Sequence, residues 1–261
     1  MFFSLPSWVL LVALVVVVGG AIAIGIVVGR RLRARAGGGS EHVGVVQGAL
    51  LGLVGLLLAF GMTMAVGRYE ARRALVVKEA NAIGTSYLRA QLLAEPYRAA
   101  SLERYVEYAD AAIVMSDEVP GTERFDAAVA ELEELQRTLW GTAGQAVGAD
   151  PVGTAPRLYV DSLNEMIDTH AERVASLGNR VPSTVMVVLV LGSAVALGVL
   201  ALYLTMLGRG VATSLLAAIV VILILFVSFD LDRPRRGFIT VPNDPLVDVR
   251  ASMDPPPAAS P

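Results

Sequence analysis

The chain is predicted to be an all-α membrane protein with four transmembrane helices and a helical-bundle insert between the second and third. Three features predict this. Four apolar blocks, Trp8–Gly29, Val43–Val66, Val181–Leu207 and Val211–Phe229, contain no Asp, Glu, Lys or Arg. The polar stretch between the second and third blocks repeats its apolar residues every three or four positions. No stretch shows the two-residue alternation of a half-buried strand.

A helix rises about 1.5 Å per residue and the bilayer's hydrocarbon core is about 30 Å thick, so about 20 apolar residues cross it. All four blocks reach or approach that length, and a mean hydropathy of +0.62 over 261 residues fits them. The first block is expected to remain a span and not a cleaved signal. Met1–Ser7 has no basic side chain, and arginines follow the block where a cleavage site would need small residues. The boundaries drawn are 1–66 for transmembrane helices 1 and 2, 67–180 for the water-exposed bundle, 181–229 for helices 3 and 4, and 230–261 for a charged juxtamembrane segment and a disordered Pro-rich tail.

Within the insert, Val66, Tyr69, Arg73, Val76, Ala80, Ile83, Tyr87 and Ala90 form one stripe, so the second span continues into water. Leu102, Tyr105, Ala109 and Ala112 form a second stripe, ahead of the Pro120-Gly121 turn. Phe125, Ala128, Leu132, Leu135 and Leu139 form a third. Val160, Leu163, Ile167, His170, Val174, Leu177 and Val181 form a fourth, which runs on toward the third span. Short amphipathic helices need partners to be buried, and a bundle supplies them.

Composition excludes several classes of function. With no cysteine, disulfide and thiolate chemistry are out. A net charge of −3 argues against nucleic acid as a partner. Neither a nucleophile–base constellation nor a phosphate-cradling loop occurs, and His42 and His170 are far apart. Catalytic residues, metal ligands and cofactors are therefore not expected, nor is an enzyme. Of the 21 basic residues only Lys78 is Lys, which with the Ala, Val and Gly content points to a bacterium with a GC-rich genome.

Candidate functional residues fall in three groups. Gly44, Gly48 and Gly52 recur every four residues on the second span, with Gly55 and Ala59 extending the face and Phe60 beside it. Small residues let helices approach closely in lipid. This face suits packing within the chain, a subunit interface or a pore lining. Ala21, Gly25 and Gly29 give the first span the same spacing. The juxtamembrane group is Arg68, Glu70, Arg72 and Arg73, leading to Glu79 and Asn81. Arginines here either anchor the helix at lipid headgroups or concentrate anions at a pore mouth. Against the second role, residues 67–180 carry 18 acidic and 12 basic side chains. The third group, Asp230, Asp232, Arg233 and Arg235, alternates sign where the fourth span ends, and could lock the tail against Arg68 or Glu70.

Loop charges split on orientation. Arg30, Arg31, Arg33, Arg35 and Arg209 favour a cytoplasmic first loop. Nine basic residues at the bundle's membrane end and after the last span favour the opposite. The expectation taken is a bacterial inner membrane protein with bundle and both termini cytoplasmic.

Glu70-Ala71-Arg72-Arg73, the run from Glu79-Ala80-Asn81-Ala82-Ile83-Gly84 to Tyr87-Leu88-Arg89-Ala90, and Leu231-Asp232-Arg233-Pro234-Arg235-Arg236-Gly237 resemble a bacterial bestrophin-like family of domains of unknown function. The resemblance covers nearly the whole chain. True bestrophins are pentameric anion channels with four membrane helices, a cytosolic helical body and both termini inside. The likeness therefore implies a homo-oligomer in the lipid bilayer that passes small ions passively. Two departures stand out: the second span offers Phe60 alone and no proline, and the acidic calcium-binding run is reduced to Asp230 and Asp232. The alternative function is a non-transporting scaffold or sensor whose bundle binds a partner.

Overall fold

The computed structural model describes residues 6–35, 40–209 and 212–258. Among these residues eight helices run in order: α1 Ser7–Arg35, α2 Ser40–Ala90, α3 Tyr97–Asp117, α4 Glu123–Ala149, α5 Thr154–Gly178, α6 Ser183–Met206, α7 Ala212–Leu231 and α8 Asp244–Ala251. No strand occurs among the described residues. The chain divides into two compact units, Met1–Arg68 with Arg180–Ile239, and Tyr69–Asn179 with Thr240–Pro261. Among the described residues four helices are long and apolar enough to cross a membrane, and they include Ser7–Ala34 of α1 and all of α7.

In the first unit α1 packs along α6 and α7. Glycine makes the closest approach possible. A Cβ on Gly29 would lie 2.8 Å from the Leu202 carbonyl oxygen, and one on Gly198 would lie 3.0 Å from that of Ala21. The spacing of Ala21, Gly25 and Gly29 is thus used inside the chain, where lipid tails offer helices no hydrophobic reason to associate. Around this crossing Val18 and Ile22 meet Leu197, Ala201 and Leu204, while Leu10 and Leu14 join the cluster of Leu189, Leu225 and Phe229. The opposite faces present Val12, Val16, Leu191, Leu216 and Ile219 outward, as a lipid solvent requires. Thr63, Thr205 and Ser228 donate their hydroxyls back to the carbonyls of Ala59, Ala201 and Ile224.

The second unit holds the later part of α2 together with α3, α4, α5 and α8. Its core is tyrosine, leucine and alanine: Tyr105, Tyr108, Tyr159, Leu132, Leu139 and Leu163 are fully enclosed. The Thr122 hydroxyl caps α4 by accepting from the Phe125 N–H at 3.3 Å.

Continuity of the second helix matches the stripe in the sequence, since α2 is one helix of 51 residues. The fourth stripe differs. α5 stops at Gly178 and α6 starts at Ser183, so the helix expected to run through Val181 is broken. Pro182 supplies no N–H and disfavours helix at the residue before it, and the Val181 N–H turns instead to the Asp232 carboxylate at 3.0 and 3.1 Å.

Ahead of its prolines, the segment drawn as 230–261 holds the helix α8. α8 packs on α3, with Leu246 and Met253 buried. Arg250 bridges Asp110 and Asp254, and the Asn243 amide donates to Asp117 at 3.1 Å. Composition hid this helix because the prolines after Asp254 dominate the segment, while its own inward apolar set, Leu246 and Val249, is short. Deleting the enclosed Leu246 side chain is expected to cost about 2–5 kcal/mol. Thermal unfolding of Leu246→Ala in detergent measures this, and a tail that packs nowhere would leave the midpoint unmoved.

Candidate functional site

The candidate residues separate into three arrangements. In the first unit, α2 presents Gly48, Gly52, Gly55, Ala59 and Phe60 outward. A Cβ on Gly48, Gly52 or Gly55 would meet nothing within 4 Å, whereas one on Gly44 would touch the Tyr203 ring at 3.0 Å. Packing within the chain, one of the roles open to this face, is therefore limited to Gly44. Within the first unit Gly61 of α2 also packs internally, against Leu189, and in the second unit a Cβ on Gly84 would meet Val249 at 3.0 Å. Phe60 and Gly61 line an apolar groove of about 310 Å³ with Leu57, Met64, Val185 and Val188. Apart from Thr63, whose hydroxyl is tied to its own helix, the outward face from Gly48 to Met64 carries no polar side chain.

The second arrangement is a buried charge network in the bundle unit. Glu79 is fully enclosed and receives Arg173 on Oε2 and His170 Nδ1 on Oε1, the latter at 2.8 Å. Arg173 also donates to the Ser116 hydroxyl. The Tyr108 ring stands edge-on to the His170 ring at 6.2 Å, and its hydroxyl accepts from the Gln136 amide at 3.0 Å. Burial pushes the Glu79 carboxyl up, but the His170 hydrogen bond and the Arg173 charge outweigh it and hold it below its ordinary value. An ionised Glu79 only accepts, so His170 carries its proton on Nδ1. Its Nε2, also buried, has no partner among the described residues.

These contacts reassign the juxtamembrane residues. Arg72 is buried, and its Nη2 donates to the Asn179 carbonyl at 2.9 Å, closing the end of α5. Arg73 is exposed and pairs with Glu70 at 3.8 Å, as their spacing predicts. Arg68 is half-buried. Asn81 is exposed, in an open groove between α2 and α5 where Lys78 pairs with Glu172 and Arg89 with Asp161. Of the six, Glu79 is the one at the centre of a network. Its partners lie 91 and 94 positions away, so no local spacing points to them.

The tail motif forms the third arrangement, within the first unit. Asp232 holds the Val181 N–H. Asp230 accepts from the Ile239 N–H at 2.8 Å and from the Ser7 hydroxyl at 3.4 Å. Arg233, almost wholly buried, reaches Ser7 through Nη1 at 3.3 Å, while its Nε and Nη2 find no partner among the described residues. Arg235 takes a left-handed φ of 63°, unusual for a residue with a Cβ. The motif ties the starts of α1 and α6 to the end of α7. Asp230, Asp232 and Arg233 thereby contact Ser7, Val181 and Ile239. Among the described residues no group of three His, Asp or Glu side chains is placed to hold a metal ion.

A family model described as "Bestrophin-like domain" matches residues 7–246. Crystal structures of a bacterial bestrophin homolog from Klebsiella pneumoniae share the fold. A single-site variant superposes with a TM-score of 0.65 at 15% identity, covering 92% of this chain and 97% of that one. A second structure gives 0.63 at 13%, covering 92% and 96%. A crystal structure of a membrane protein gives 0.62 at 13%, covering 92% and 97%. The curated proteins contain no match to the chain.

Removing the Glu79 charge leaves Arg173 buried without its counter-ion. Glu79→Gln is expected to cost about 3–5 kcal/mol. A carboxyl depressed by folding stabilises above its unfolded value near 4.5 and loses that contribution as pH falls through the lower folded value. Unfolding midpoints across pH 3–7 in detergent check both, and wild type and Glu79→Gln should converge at the acid end. Parallel curves would show that the network does not contribute this way.

Proposed function

The chain belongs to the Bestrophin-like family, and on that premise we propose that it assembles with copies of itself into a bacterial membrane complex that conducts small ions passively. The observation carrying this reading is the uncovered glycine face of α2. Gly48, Gly52 and Gly55 expose backbone on a helix whose chain-mates already pack through other glycines. In lipid such a face gains from close approach to another helix, and the only helices assured at matching depth are those of further copies. The fold shared with a bacterial bestrophin homolog supports the same arrangement.

Selectivity for anions has less support than the oligomer. Arg72 is buried with its guanidinium on the Asn179 carbonyl and Arg73 is paired with Glu70, so neither offers an exposed, unpaired guanidinium to passing anions. We read the permeant species as small ions without an anion preference. Purified oligomers in a planar bilayer test this. Conductance is expected in simple salts, with a reversal potential near zero in a KCl gradient, and Gly52→Leu should sharply reduce it. Silence in every salt, with folded oligomers present, contradicts conduction. It would favour a membrane scaffold or sensor whose bundle binds a partner, a reading that a monomeric or dimeric mass would also favour.

The bundle and both termini are placed on the cytoplasmic side, following the nine basic residues at that end. The natural absence of cysteine makes the check direct. Ser252→Cys should react with an impermeant maleimide only after the cells are opened, and labelling of intact spheroplasts would reverse the orientation.

A further inference from the structure

At the edge where α1 ends and α6 turns toward α7, Arg30, Arg33 and Arg209 surround a cavity of about 490 Å³ with Ile26 at its apolar end. Among the described residues none of the three makes an ion pair and no acidic side chain lines the cavity. Several arginines elsewhere are spent differently: Arg73, Arg89, Arg98 and Arg250 pair with carboxylates.

Helix ends alone do not account for this concentration. The C-termini of α1 and α6 supply about half a negative charge each, and the start of α7 returns about half a positive one. Three guanidiniums exceed that sum by more than two charges. The turn is also shaped around one of them. Gly208 has φ +72°, and a Cβ there would lie 2.8 Å from Arg33 Nη2 and 2.9 Å from Nη1, so the guanidinium lies against a position only glycine leaves open. The Thr205 hydroxyl donates to the Ala201 carbonyl at 2.7 Å, which leaves the guanidiniums as the donors facing the cavity. Exposed Val27, Leu32 and Leu207 flank it, on helices that present apolar side chains to lipid.

We propose that this cavity binds the phosphate of an anionic phospholipid headgroup, with the acyl chains running down the exposed faces of α1 and α6. Planar guanidiniums match phosphate oxygens in pairs, and the apolar flank selects a lipid over a free ion.

Native mass spectrometry of the full-length protein in detergent tests this, with phosphatidylglycerol and phosphatidylcholine of identical chains as probes. Phosphatidylglycerol should be retained preferentially. The combined Arg30→Gln, Arg33→Gln and Arg209→Gln variant should lose that preference by about tenfold or more, while Arg137→Gln, in the bundle, should leave it unchanged. Gly208→Ala retains every charge but displaces Arg33, so a partial loss is expected. If the triple variant does not fold, as judged by helical circular dichroism, Arg209→Gln alone should still weaken the preference about threefold. A preference unchanged in the folded variants overturns the proposal. So does inorganic phosphate that binds as tightly as the lipid.

Discussion

Close approach of helix backbones in lipid is the constraint on which the rest depends. Hydrocarbon tails are as apolar as leucine, so contact between membrane helices is decided by shape and not by exclusion from water. In this chain α1 and α6 meet through Gly25, Gly29 and Gly198, where any Cβ would collide with backbone. That crossing fixes which faces remain. Once α6 is taken by α1, and Gly44 and Gly61 of α2 by Tyr203 and Leu189, the glycine face at Gly48, Gly52 and Gly55 has no partner among the described residues.

Charge is handled by a second rule, which holds separately in each unit. In the bundle Glu79 is buried with two nitrogen donors and stays ionised because they outweigh desolvation. In the membrane unit Asp232 and Asp230 accept backbone N–H groups at the start of α6 and after α7. Both units thus use carboxylates as structural acceptors at helix ends and cores. Three guanidiniums without an ion pair among the described residues, those of Arg30, Arg33 and Arg209, gather where α1 and α6 end.

The spans and the continuity of α2 were legible because each rests on a long one-dimensional pattern: an uncharged run, or a stripe repeated over many turns. Short or three-dimensional features were not. Pro182 breaks what looked like an unbroken stripe, and its effect depends on Asp232 drawing away the Val181 N–H from 51 residues off. α8 has one buried apolar residue in eight, too few to show a period beside three consecutive prolines. Among site residues, Arg72 and Arg73 are adjacent and look alike in sequence, yet one is buried and the other exposed because a helix turns by about 100° per residue. Glu79 was visible as a charge, but its role depends on α5 returning His170 and Arg173 to it. The glycine spacing of α1 and of α2 is the same pattern with two fates, and only the positions of the other helices separate them.

The claim that the α2 glycine face meets another copy is tested most directly by cross-linking in this cysteine-free chain. Gly52→Cys, treated with a short oxidising cross-linker in membranes, should yield covalent dimers of the full-length protein. Val16→Cys, on the exposed face of α1, should remain monomeric under the same conditions. Equal cross-linking at both positions, or none at Gly52 in a complex of proven higher mass, would contradict the account.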